Sequence, residues 1–228
     1  MAVSFAIPVV QTNFCSFFPR IPRAPSVRVK GTSIASFLSF LEAEYGASRT
    51  REFIVSLEPN LRKRCEGLIL ASAFYPMEEL DALALCARDY FSAGPTFFER
   101  SGAHNAAFGL GGVHQALLIR PTPLDFLRAA ERQWGQFVDQ GGADVNLVGE
   151  GKVRLRLEGI PGSEVRCARQ TGFLTRALEL AGAQKMAVSK AACTLKGDAV
   201  CEWNIVWDAE TSPKPQSYTT TIRRPVAT

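Results

Sequence analysis

The apolar positions of this chain change period at one point. Up to about residue 140 they recur every three or four residues, and after Gly141 they alternate with polar ones, apart from one helical interruption. Ile34, Phe37, Leu38 and Leu41 fall on one face of a helix that Thr32 or Ser33 can cap. A second helix is predicted from Arg51 to Cys65, with Phe53, Ile54, Leu57 and Leu61 inward. The basic run Arg62-Lys63-Arg64 lies at its end, where cations suit the helix dipole. Pro76 suits the opening of a third helix that runs to Tyr90, with Glu78, Glu79 and Asp81 in its first turns. Residues 95–119 read as helical in parts, broken by Gly109, Gly111 and Gly112, and Pro121 and Pro123 end them. An amphipathic helix from Leu124 to Asp139 then carries Leu127, Ala130, Trp134, Phe137 and Val138.

Beyond Gly141, Val145 and Leu147, then Val153, Leu155 and Leu157, alternate with polar residues across the Gly149–Gly151 turn, which predicts an antiparallel hairpin. Residues 166–181 return to helical spacing, closed by Gly182. Two further strands, 184–194 and 199–207, flank the Lys196-Gly197-Asp198 turn. Cys201, Trp203, Ile205 and Trp207 share one face of the last strand. The expected class is α+β, with N-terminal helices packed on a C-terminal antiparallel sheet of β-β-α-β-β order.

Composition narrows the organisation. A length of 228 residues, 46% of them hydrophobic and 21% charged, suits a single domain over 31–208, with an N-terminal extension and linker (1–30) and a flexible tail (209–228). The net charge of +4 is concentrated in the tails, which argues against a nucleic-acid surface. The apolar start lacks a basic n-region and is interrupted by Pro8 and Pro19, so it reads as a segment that packs on the domain or on a partner rather than a leader or a membrane span. Six unevenly spaced cysteines suit a reduced, cytoplasmic protein.

Chemical signals are few. Cys167, Cys193 and Cys201 stand 26 and 8 residues apart around one helix and two strands, so a compact fold makes them neighbours able to bind metal, to cross-link, or to fill core as small apolar groups. The two histidines, His104 and His114, have no nucleophile or carboxylate at a diagnostic spacing. The Gly109–Gly112 run lacks the lysine and preceding strand of a phosphate loop. No catalytic role is expected. Phe108, Trp134 and Phe137, with His104 as a polar contact, are candidates to line a cavity for a small apolar or aromatic molecule, or to fill core.

Cys167, the helix around Gly172, the strand ending in Cys193, the LKGDAV turn (195–200) and the CEWNIVW strand (201–207) resemble the vinyl-4-reductase type of ligand-binding domain. That group is related in fold to heme nitric-oxide-binding domains and to subunits of the Golgi transport tethering complex. An uncharacterised bacterial family of similar layout shares a helix opened by a pair like Tyr75-Pro76. The resemblance implies a sensory or regulatory domain, a homodimer, and zinc on Cys167, Cys193 and Cys201 with a glutamate three residues before the second cysteine. Here that position is Lys190, so zinc is a minority expectation, with Glu202, Asp198 or Glu179 as substitutes. A heme-binding gas sensor is only a minor alternative, because none of Tyr45, Tyr75, Tyr90 or Tyr218 begins the Tyr-x-Ser-x-Arg motif that holds porphyrin carboxylates in the related sensors. Either histidine could otherwise be axial. The tethering-complex relatives imply the alternative, a protein-interaction module with no small ligand.

Overall fold

The computed structural model describes residues 26–112, 114–119 and 122–210. The expectations for the extension and for nearly all of the tail therefore lie outside the described residues. Residues 28–30, read from the sequence as linker, form a strand instead. β1 (Arg28–Lys30) pairs antiparallel with β2 (Phe74–Pro76), with Val29 opposite Tyr75. Val27 and Val29 are buried, which is the reason this basic, proline-flanked stretch is held.

Helix α1 (Gly31–Tyr45) starts earlier than its polar residues suggest. Its first turn has no side-chain cap; Gly31 N donates to Ala73 O at 2.9 Å and Lys30 N to Phe137 O at 3.0 Å, so tertiary backbone bonds satisfy the orphan donors. The single helix expected over 51–65 is two, α2 (Ala47–Ser56) and α3 (Pro59–Glu66). Pro59 cannot continue a helix, and Glu58 caps the new one by accepting from Leu61 N at 2.8 Å and Asn60 N at 3.0 Å.

α4 (Met77–Tyr90) follows Pro76 directly, and α5 (Phe97–Leu110) runs unbroken past Gly109. α6 (Pro123–Arg132) stops seven residues before the expected end at Asp139. A 3-10 turn at Trp134–Gln136 bends the chain, because Val138 bridges to Val29 and Asp139 N donates to Arg28 O at 3.1 Å. Pairing with β1 takes these residues out of the helix.

The C-terminal part follows the alternating pattern. β3 (Gly142–Gly149), β4 (Lys152–Glu158), β5 (Ala187–Ala192) and β6 (Cys201–Val206) form one antiparallel sheet of order β3-β4-β6-β5, and α7 (Glu164–Leu180) connects β4 to β5. Leu155 faces Trp203 and Leu157 faces Cys201 across β4 and β6. Cys201, Trp203, Ile205 and Trp207 are all buried, as a period of two requires.

Two apolar clusters make the core. One joins α1 to α4 with Phe97, Phe98, Val138 and Ile160; the other joins the sheet to α6, α7 and the end of α5. Trp134 and Phe137 pack against both. α5 and α7 cross with their main chains touching. A Cβ on Gly102 would stand 1.9 Å from the Arg169 carbonyl oxygen, and one on Gly172 1.9 Å from that of Glu99. Only glycine at both positions permits this approach.

Candidate functional site

At the seam between the clusters lies a cavity of about 210 Å³. The sheet side is apolar: Val145, Leu155, Leu157 and Trp203, joined by Phe126 and Leu127 of α6 and by Phe173 and Leu174 of α7. The polar lining comes from Thr32 and Ser33 on α1, Asp81 on α4, Asn105 on α5, and Arg166, Arg169 and Gln170 in the earlier turns of α7. Glu131 of α6 is the carboxylate on the opposite side, and it accepts from Val145 N at 2.8 Å.

Of the four residues predicted to bind a ligand, Trp134 and Phe137 line this cavity, while His104 and Phe108 lie off it. His104 Nε2 meets Ser39 Oγ at 3.1 Å beside the Phe40 ring, and Phe108 is 44% exposed. His114 is the histidine on the cavity wall, with its ring 4.6 Å from that of Phe137. Burial lowers the pKa of both imidazoles, with the Arg169 charge adding to the effect at His104.

Sequence reasoning missed the charged groups of the cavity. Arg166 Nε pairs with Asp81 at 2.9 Å, and Arg166 also reaches Glu78 at 3.3 Å, which ties α7 to α4. Ser163, the cap of α7, donates to Asp81 Oδ2 at 3.0 Å. Burial raises the Asp81 pKa against the pull of Arg166 and Ser163. Arg169 is 7% exposed and donates to Ser101 Oγ at 2.9 Å, with its guanidinium 5.2 Å from the centre of the Phe37 ring. The signal for it was present: Arg169 follows Val165 by four residues and precedes Gly172 by three, so it shares their buried stripe.

The three cysteines converge as their spacing predicted. Cys167 Sγ lies 3.6 Å from Cys193 Sγ and 3.8 Å from Cys201 Sγ, and all three sulfurs fall within 4.8 Å of one another. A tetrahedral zinc with Zn–S bonds of about 2.3 Å has S···S edges of about 3.8 Å, which the two edges at Cys167 match. The fourth corner does not fit. Lys190 Nζ stands 3.2 Å from Cys167 Sγ and 3.4 Å over the Trp203 ring. The substitutes considered from the sequence are engaged elsewhere: Asp198 Oδ2 accepts from Cys193 N at 2.7 Å, Glu202 pairs with Arg154 and Arg156, and Glu179 pairs with Arg176.

The ammonium also sets the thiol chemistry. Burial pushes the Cys201 thiol up, but hydrogen bonds from the Thr194 backbone and side chain, with the hydrogen bond and charge of Lys190, outweigh it and bring the thiol down to about 7. Burial dominates at Cys167, which is pushed up to about 11 despite Lys190. Cys167 and Cys201 both reach the cavity wall.

No protein-family model matches the chain, and no curated protein matches it. Solved structures do. An H-NOX protein from S. oneidensis in the Fe(II)NO ligation state superposes with a TM-score of 0.64 at 13% identity, over 78% of this chain and 99% of that one. The Fe(II) unliganded H-NOX protein from K. algicida gives 0.59 at 13%, covering 78% and 96%. The IWP-051-bound H-NOX from Shewanella woodyi gives 0.60 at 16%, covering 78% and 94%. The fold is therefore H-NOX-like α+β.

One of these neighbours is described by its Fe(II)NO ligation state, and in this chain His114 is the imidazole on the cavity wall. The rest of the site does not fit a porphyrin. The Tyr-x-Ser-x-Arg clamp is missing, and about 210 Å³ suits one or two rings, given that a cavity of roughly 150 Å³ holds benzene. Among the described residues, no helix is long and apolar enough to cross a membrane.

Proposed function

We propose that this chain is a non-enzymatic sensory or regulatory domain of the vinyl-4-reductase type that binds a small aromatic molecule in the cavity at its seam. The observation that carries the reading is the cavity itself, an apolar chamber between helices and sheet with a few polar groups converging on one side. Trp134 and Phe137 would close over the ring, and His114 would supply the polar contact to it. Because these two aromatics pack on both core clusters, occupancy would change how the clusters are joined. That is a means of signalling without chemistry. A homodimer is proposed with it, on the strength of the resemblance.

Native mass spectrometry of the purified protein, repeated after denaturation and with metal analysis, tests the reading. A stoichiometric organic ligand supports it. A ligand-free, metal-free dimer that binds no aromatic probe would overturn it in favour of a protein-interaction module.

Heme is the minor alternative, suggested by the likeness to H-NOX structures and by His114 at the wall and opposed by the cavity size and the missing carboxylate clamp. It requires that hemin added to the protein give a sharp Soret band that His114→Ala abolishes.

A further inference from the structure

Arg169 is the least balanced group in the cavity wall. A guanidinium has five N–H donors, and here one goes to Ser101 Oγ. Among the described residues no carboxylate comes within 4 Å of it. Asp81, whose charge reaches it, is committed to Arg166 at 2.9 Å and to Ser163 at 3.0 Å. Burial without a partner pulls the Arg169 pKa down to about 10, with Asp81 opposing the fall. A buried cation left in this state is costly unless something pairs with it.

Asn105 adds to the asymmetry. Its Oδ1 lies 2.7 Å from the Ser36 hydroxyl, whose one hydrogen is shared with Ser33 O at 3.1 Å; the amide NH₂ has no partner among the described residues, and the residue lines the cavity. Asn105 lies three residues after Gly102 and Arg169 three before Gly172, so the backbone contact of α5 and α7 fixes both relative to each other. Arg169 and Asn105 each bring donors to this side, where Thr32, Ser33 and Gln170 can donate or accept and the Asp81 carboxylate is held by Arg166 and Ser163, while the sheet side offers aromatic and aliphatic surface.

We propose that the cavity selects a small aromatic acid, with its ring against the apolar sheet side and its carboxylate held by the Arg169 guanidinium and the Asn105 amide. The proposal rests on the small-molecule reading above and adds the charge of the ligand. A carboxylate matches the planar fork of arginine and supplies the counter-charge that the protein withholds.

The test is calorimetric titration of the full-length protein, shown ligand-free by native mass spectrometry, with phenylacetate and with its uncharged isostere phenylacetamide. The acid is expected to bind at least about tenfold more tightly, the scale of one charge-assisted hydrogen bond. In Arg169→Gln the ratio is expected to fall to near one. Because that variant could fail to fold, the wild-type protein carries a second readout. The carboxyl pKa of ¹³C-labelled phenylacetate, followed by NMR, must fall below its free value on binding.

Equal binding of acid and amide, a ratio that persists in Arg169→Gln, or a carboxyl pKa that rises would overturn the proposal and leave the aromatic cavity standing. Binding of neither probe would overturn both.

Discussion

Lys190 Nζ lies 3.2 Å from Cys167 Sγ, so an ammonium occupies the space beside three converging thiols that a fourth metal ligand would need. Its other side rests on the Trp203 ring, opposite it in the β5–β6 ladder, which fixes the lysine by a cation–π contact. The positive charge that a metal would bring to the sulfurs is already supplied by the chain.

Replacing Lys190 should therefore change metal binding more than it changes the fold. Lys190→Glu puts a carboxylate beside three converging sulfurs, and it should bind zinc stoichiometrically and more tightly than the wild-type protein. Metal analysis after dialysis checks this, with cobalt substitution reporting thiolate coordination. A metal-free variant would show that the sulfurs are not arranged to close on an ion.

The crossing of α5 and α7 should tolerate no side chain. Gly102→Ala or Gly172→Ala drives a methyl group into a carbonyl oxygen and should cost about 2–4 kcal/mol in urea denaturation. The double variant should cost less than the sum, since a single separation of the two helices relieves both clashes. Additive losses would mean that the helices yield independently.

Stability should fall as pH drops from about 7.5 toward 5.5. His104 and His114 have folded pKa values below the ordinary 6.5, so in this window the unfolded chain binds more protons than the folded one. Stability is full above the unfolded value and is lost as pH falls through the window to the folded pKa. Asp81, raised by burial, works in the opposite direction at lower pH. Denaturation at several pH values should show the slope, and His104→Gln with His114→Gln should reduce it, leaving the part near pH 7 that Cys201 contributes with its thiol lowered to about 7.

Filling the cavity should separate binding from folding. Ala130, on α6, borders the chamber, and Ala130→Phe puts a ring where a ligand would lie. Thermal stability should hold or rise, by up to about 2 kcal/mol, while binding of aromatic probes is lost. Unchanged binding would place the ligand elsewhere.

Much of the fold was legible because periodicity carries over many residues. The alternation of Val153, Leu155 and Leu157 and of Cys201, Trp203 and Ile205 located β4 and β6, and the burial of those residues follows it. β1 and β2 were illegible because three residues show no period, and their pairing joins segments about 46 residues apart. The split at Pro59 was legible in principle, since proline at a helix interior is costly, but the apolar positions on both sides kept helical spacing. The cysteine cluster was legible from spacing alone, while Arg169 was hidden because an arginine on a helix reads as solvent-facing until Gly102 and Gly172 reveal what lies against it. That His104 and Phe108 lie off the cavity was not legible, because the rotation of a helix amid small residues has no strong apolar stripe to define it.

Two of the three tryptophans, Trp134 and Trp203, form part of the cavity wall, and a cation sits on the face of the second. The molecule thus carries its own optical reporter. Entry of a guest, loss of the lysine charge or capture of an ion beside the thiols should each alter indole emission in a different way, readable without any attached dye.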